Sequence, residues 1–185
     1  MGKIRSAIDD EARHFIEAQK IFFVASAPLA ADGHVNLSPK GLDTFRILSP
    51  TQVAYLDFNG SGVETIAHLR ENGRIVLMFC AFQGAPNIFR LYGQGHVVEP
   101  QQPEFAALAS SFPPNDSVRS IIVIEVSRVT DACGYGVPLF MYEGERSQLH
   151  AWARKQGPEG LQAYRERKNK HSIDGLAGLS GYVRD

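Results

Sequence analysis

The sequence predicts a mainly β, α+β fold: a small antiparallel barrel with peripheral helices. Short runs of β-branched and aromatic residues recur along the chain, joined mostly by Gly, Pro, Asn and Asp turns. The helical patterns between them are too few to serve as crossovers, which excludes a doubly wound parallel sheet. Hydrophobic residues make up 44% and charged residues 21% of the 185 positions, ordinary values for one folded core rather than a disordered chain.

Taken in order, residues 1–20 read as a helix. Ile8, Ala12, Phe15, Ile16 and Gln19 recur at three- and four-residue steps, with acids early and Lys20 late, as the helix dipole favours. Residues 21–26 read as a strand. Asp32-Gly33 signals a hairpin turn, and the returning strand, 34–38, is expected to stop at Pro39. Residues 51–58 alternate as a strand does, and Asn59-Gly60-Ser61-Gly62 breaks the pattern. Residues 63–71 form a short helix that Asn72-Gly73 ends. Residues 75–80 are apolar throughout and are expected to be buried on both faces. Residues 90–98 are a strand in which Gly93 and Gly95 suit a bulge or a barrel bend. Residues 103–112 follow as a helix and 120–129 as a strong strand. Beyond Asp131 come the rigid turn Gly134-Tyr135-Gly136-Val137-Pro138 and two short amphipathic helices, 146–155 and 161–170. The expected organisation is a barrel over residues 1–130 and an arm over 131–185. The arm has too few core residues to fold alone, so it packs on the barrel or on a partner subunit.

Charge narrows the partners. Lys and Arg total 19, Asp and Glu 20, for a net charge of −1. A nucleic-acid binder needs a basic excess or stripe, so none is expected, and any bound anion is small. No apolar run reaches the roughly 18 residues of a membrane span, and Asp9-Asp10-Glu11 interrupts any signal-peptide core. The two cysteines, Cys80 and Cys133, build no disulfide framework and fit a reducing cytoplasm. Cys80, inside an apolar run, reads as an inert core thiol. Glu64 and His68 have i,i+4 spacing but no third ligand, so no metal site is expected and the pair reads as a helix surface.

Two stretches carry chemistry. Asn59-Gly60-Ser61-Gly62 delivers the chain to a helix N-terminus, where free N–H groups and the dipole attract an anion. The same residues also read as a capping box, Ser61-x-x-Glu64, which needs no ligand. The second stretch is Asn36-Leu37-Ser38-Pro39-Lys40-Gly41. Lys40 offers a point charge to a phosphate or serves as a solvated turn lysine.

An ordered set of segments carries a family resemblance. It runs from Phe22-Phe23-Val24-Ala25-Ser26-Ala27-Pro28 through Asp32 to Gly41, then Ala54-Tyr55-Leu56-Asp57 and Gly60-Ser61-Gly62-Val63-Glu64-Thr65. Asn72-Gly73-Arg74, Phe79-Cys80-Ala81-Phe82 and Arg90-Leu91-Tyr92-Gly93-Gln94-Gly95 complete it. The chain resembles the pyridoxamine 5'-phosphate oxidase-like FMN-binding split barrels. The resemblance implies a homodimer of six-stranded antiparallel split barrels with FMN at the dimer interface. It places Asn36, Leu37, Ser38, Pro39 and Lys40 along the flavin, and Asp57, Ser61, Gly62, Val63 and Thr65 around its phosphate. The oxidase proper has an Arg-Lys pair in this loop, where this chain reads Gly62-Val63-Glu64-Thr65, with no base and one acid. Neutralisation then falls to Lys40, Ser61, Thr65 and the helix N–H groups, with Arg70 or Arg90 as further candidates. The implied function is flavin-dependent oxidoreduction of a small molecule, with no catalytic side chain assigned. The alternatives are a flavin-binding or storage protein without turnover, and a heme-binding split barrel.

Overall fold

The structure is a computed structural model and describes residues 2–182. The elements, in chain order, are β1 (Ile4–Arg5), α1 (Asp10–Ala18), β2 (Phe22–Ser26), β3 (Asn36–Lys40), β4 (Phe45–Ser49) and β5 (Gln52–Phe58). They continue with α2 (Glu64–Asn72), β6 (Arg74–Cys80), β7 (Ile88–Val98), α3 (Phe105–Ala109), β8 (Val118–Ala132) and α4 (Gln148–Lys168). The strands form one eight-stranded sheet in the order β3-β2-β6-β7-β8-β5-β4, with β1 paired to β8. Every pairing is antiparallel.

Eight strands replace the expected six. β1 is two residues long, too short to leave a period. β4 is half-buried along its whole length, so Phe45-Arg46-Ile47-Leu48-Ser49 shows no alternation. The β2–β3 connection is a loop over 27–35 rather than a two-residue hairpin: the chain turns at Ala30–Gly33, where the Gly33 N–H donates to the Ala30 carbonyl, and the His34 N–H then donates to Asp174 in the C-terminal tail at 2.8 Å. β3 runs through Pro39, opposite Phe23, instead of stopping there. An end strand of a sheet tolerates proline, since one side has no ladder to interrupt.

The barrel interior is closed by rings rather than by backbone pairing. Phe22 on β2 lies 5.4 Å from Phe45 on β4, 5.7 Å from Tyr55 on β5 and 5.5 Å from Phe79 on β6. These contacts join the two ends of the strand order, which share no hydrogen bonds. Alternating residues of β5 serve two cores. Val53 and Tyr55 point into the barrel, while Ala54 and Leu56 pack outside with Ile121, Val123 and the α3 residues Phe105 and Leu108. The strand buried on both faces is therefore β5 rather than β6, where Val76 and Met78 remain half-exposed. α3 covers the second face of the strands beneath it.

The helix ends follow local rules. Asp9 caps α1 by accepting the Ala12 N–H at 2.9 Å. Gly73 ends α2 with φ of 71°, a left-handed turn that glycine adopts at little cost. In the arm, α4 breaks at Gly157 (φ 66°) before Pro158, which separates the two expected helices. Trp152 and Tyr164 meet edge-on across the kink, with centroids 4.9 Å apart.

Gly93 sits at the β7 bulge, where the register to β8 shifts between Tyr92 and Gly93. A Cβ there would lie 2.2 Å from the Glu125 carbonyl oxygen, a backbone atom that cannot rotate aside. Gly93→Ala is expected to cost about 1–3 kcal/mol, the usual range for overpacking, read as a lower denaturant midpoint. An unchanged midpoint would show that the bulge relaxes freely.

Candidate functional site

The open side of the barrel lies between β3 and β5. A cavity of about 310 Å³ occupies it, lined by β3, the β3–β4 turn, the end of β5, the start of α2 and Arg119 of β8. Lys40 ends β3 and aims its ammonium at Asp57 Oδ1, 3.1 Å away. The Arg119 Nε–H donates to Asp57 Oδ2 at 2.7 Å, and its Nη1 donates to the Gly60 carbonyl at 3.0 Å. Lys40 also lies 5.8 Å from the Tyr55 ring centroid. Three strands thus meet on one carboxylate. Asp57 is 1% exposed. Burial alone would raise its pKa, but the Arg119 and Lys40 charges overcome that and hold it down at about 2.

A chain of polar groups follows β3. The Ser38 hydroxyl donates to Asn36 Oδ1 at 3.2 Å, and Asn36 Nδ2 donates to Thr65 Oγ1 at 2.9 Å. Deeper inside, Ser26 Oγ is 3.0 Å from His68 Nδ1. His68 is fully buried rather than on the helix surface, because the whole Thr65–Leu69 face of α2 packs on the barrel. Desolvation lowers its pKa, which favours the neutral ring.

The expected site residues divide cleanly. Asn36, Ser38, Pro39, Lys40, Asp57, Gly62 and Thr65 line the cavity together. Leu37 does not, since it faces outward on the opposite side of β3 at 64% exposure. Val63 is in the hydrophobic core, and Ser61 is exposed and off the cavity wall. The capping box is absent. α2 begins at Glu64 with Val63 at its N-cap and no side-chain cap. The Glu64 carboxylate instead folds back over Gly62 and accepts the Ile173 N–H of the tail at 3.3 Å. Neither Arg70 nor Arg90 reaches the cavity, and Arg70 is paired with Glu99. The second cation is Arg119, which sequence reasoning missed. Its signal is a charge just before the continuous apolar run Ile121-Ile122-Val123-Ile124, where only a paired ion survives burial.

A phosphate monoester fits this donor set. Lys40 and Arg119 share a single carboxylate, and the uncapped N-terminus of a nine-residue helix opens beside them. A larger, mostly apolar cavity of about 1210 Å³ adjoins this one, sharing Pro39, Lys40, Gly41, Leu42 and Leu149. Phe82, Phe140, Met141 and Tyr142 form part of its wall. Leu42 and Asp43, in the turn between them, have φ of 63° and 53°, a left-handed pair in which leucine is strained. Among the described residues, no three His, Cys, Asp or Glu side chains cluster as metal ligands. No helix among them is long and apolar enough to cross a membrane.

An antiparallel split barrel with a polar, cation-bearing cleft at its opening defines the class of protein. The sequence model of the pyridoxamine 5'-phosphate oxidase family matches residues 8–133, and the chain belongs to that family. The pyridoxamine 5'-phosphate oxidase family protein ustO of Aspergillus flavus is 38% identical over 97% of this chain and 78% of its own length. HupZ of Group A Streptococcus shares the fold with a TM-score of 0.54 at 19% identity, over 72% of this chain and 99% of that one. A Clostridium acetobutylicum protein related to general stress protein 26, of the pyridoxinephosphate oxidase family, aligns with a TM-score of 0.51 at 12% identity. That match covers 66% of this chain and 86% of the other.

Removing the shared carboxylate tests the site's electrostatics. Asp57→Ala leaves Arg119 buried without its counter-ion and is expected to cost about 3–5 kcal/mol in denaturant unfolding. The depressed Asp57 pKa stabilises the fold above its ordinary value of 3.8, and the gain is lost as pH falls through about 2. That limb is worth roughly 2 kcal/mol and should vanish from the acid-unfolding curve of Asp57→Asn. A limb of the same size in Asp57→Asn would assign it to other carboxylates.

Proposed function

We propose that the chain binds FMN in this cleft and acts as a flavin-dependent oxidoreductase on a small molecule. The observation that carries the reading is the pair of cations, Lys40 and Arg119, set on one buried carboxylate beside the uncapped start of α2. Membership of the pyridoxamine 5'-phosphate oxidase family supports it. A single phosphate matches this small, fixed donor set better than a dinucleotide does.

Bound there, the flavin supplies the electron-transfer chemistry, and the protein supplies binding, orientation and shape. Lys40 and Arg119 hold the phosphate, and Asp57 holds both cations in place. The N–H groups of the first turn of α2 add dipole attraction. Asn36, Ser38 and Thr65 offer hydrogen-bond partners along β3. The adjoining apolar cavity, with Phe82 and Phe140 5.6 Å apart, offers the surface that a planar ring and its substrate require. Glu64 works against a dianion, so affinity is lower than a loop with two bases would provide.

The working unit is a homodimer. Leu139, Phe140, Met141 and Tyr142 are 75%, 60%, 85% and 48% exposed in the single chain. Four consecutive large apolar side chains facing water support this reading, since an exposed apolar patch is a common mark of an interaction surface. Sedimentation at monomer mass across micromolar concentrations would overturn this assignment.

The purified protein is expected to show oxidised-flavin absorbance that survives gel filtration after FMN is added. Lys40→Ala should weaken FMN by about 1.5–3 kcal/mol, the worth of a hydrogen bond to a charged group. Glu64→Gln should tighten it by removing a nearby negative charge. A protein that stays colourless with added FMN in all three forms overturns the flavin reading. Bound flavin that NADH or NADPH does not reduce points to storage rather than turnover.

A further inference from the structure

The glycine loop that leads into α2 is fastened from outside the barrel. Arg165, on α4, donates from Nε to the Asn59 side-chain carbonyl at 2.7 Å. Asn169, the C-cap of α4, donates from Nδ2 to the Gly60 carbonyl at 2.9 Å. That carbonyl is the one that also accepts from Arg119. The remaining donors of Asn59 are engaged: its backbone N–H and its Nδ2 both donate to the Ser117 carbonyl, at 2.8 and 2.7 Å. Asn169 is fully buried, an unusual place for an amide at a helix end.

The tail that follows keeps Asn169 in place. Leu179 is buried in the barrel core, and its N–H donates to the Asn169 carbonyl at 3.0 Å. At Gly178 a Cβ would lie 2.2 Å from that carbonyl oxygen and 2.9 Å from Val63. Only glycine lets the tail pass between Asn169 and the residue preceding α2. Farther along, Ser180 donates to Glu99 from its N–H at 2.9 Å and its hydroxyl at 2.8 Å.

We propose that Arg165 and Asn169 are positioning residues for the anion site: the C-terminal arm presets the Asn59–Gly60 backbone so that the loop receives a phosphate without further ordering. A loop containing Gly60 and Gly62 is costly to order at the moment of binding, and preorganisation removes that cost. The geometry explains why a carbonyl is the point of attachment. In a trans peptide the N–H points opposite to the C=O. Turning the Gly60 carbonyl toward Asn169 and Arg119 therefore fixes the direction of the Ser61 N–H. Both residues lie beyond the span that the family match covers, 8–133.

The test compares the full-length chain with Arg165→Ala, Arg165→Lys and Asn169→Ala. Amide hydrogen exchange at Asn59, whose buried N–H donates to the Ser117 carbonyl, is measured without flavin, and affinities for FMN and riboflavin are measured beside it. Exchange at Asn59 should rise at least tenfold in both alanine variants, while the β7–β8 amides stay unchanged. FMN binding should weaken about tenfold with riboflavin binding unaltered, since riboflavin lacks the phosphate. Arg165→Lys should recover part of both effects, because an ammonium can still donate to Asn59. Unchanged exchange at Asn59 overturns the proposal, and so does an unchanged FMN-to-riboflavin ratio in a protein that binds FMN. The affinity measurement rests on the flavin reading. If the parent chain binds neither flavin, that reading fails and the exchange result alone decides the role of the C-terminal arm. If Asn169→Ala does not fold, the two variants of the half-buried, helix-borne Arg165 decide between the same outcomes.

Discussion

A carboxylate at the floor of a protein must be paired or it loses its charge. Asp57 is paired twice, and its two partners arrive from opposite ends of the strand order. Lys40 comes from β3 at one end and Arg119 from β8 near the other. No backbone hydrogen bond crosses between β3 and β5, so this ionic junction, with the ring cluster behind it, sets the width of the opening. The cleft, the direction of the two cations and the position of the Gly60 carbonyl all depend on it. A charge network is a poor source of net stability. Its value here is geometric: it holds two cations at a fixed spacing where the sheet itself offers no register.

The loop departs from the two-base pattern of the oxidase, yet the cleft is not stripped of positive charge. The corresponding stretch, Gly62-Val63-Glu64-Thr65, holds no base and one acid. Val63 is committed to the core at 1% exposure, which frees no side chain for an anion. Glu64 is drawn toward the tail N–H of Ile173. A cation does line the cleft at Arg119, a residue distant in sequence but adjacent across the β5–β8 pairing, where Asp57 faces Ser120.

Much of this is legible in the chain itself. The strands with clear period or β-branched density announce themselves, and so does the end of α2 at Asn72-Gly73, whereas the helix read over residues 1–20 is confined to α1 and preceded by β1. The meeting of Lys40 with the Asp57–Thr65 stretch is legible only through the family resemblance, not from local pattern. What escapes a reading of the sequence has a common physical character. β4 has no alternation because neither of its faces is fully covered. His68 looks like a surface histidine because a nine-residue helix buried along one face carries too few apolar residues to announce it. Arg119, Arg165 and Asn169 act through partners at least 59 positions away. Local pattern cannot report a contact whose other half lies across the fold. The inward and outward sides of β3 are also undecidable before the register is known, which is why Leu37 groups with Asn36 and Ser38 in the sequence.

The spacing of those contacts has a consequence for how the molecule assembles in time. Asn59 and Gly60 meet Arg165 and Asn169 across separations of 106 and 109 positions. The β6–β7 and β2–β3 ladders, by contrast, join near neighbours in the chain. Contacts between distant segments must wait for the loop between them to close, and during synthesis the downstream partner leaves the ribosome last. The barrel can therefore collapse with its glycine loop still unfastened. A nascent or partly refolded chain would hold the sheet from β2 to β8 before it holds a finished cleft, so recovery of most β-structure on refolding runs ahead of recovery of the site.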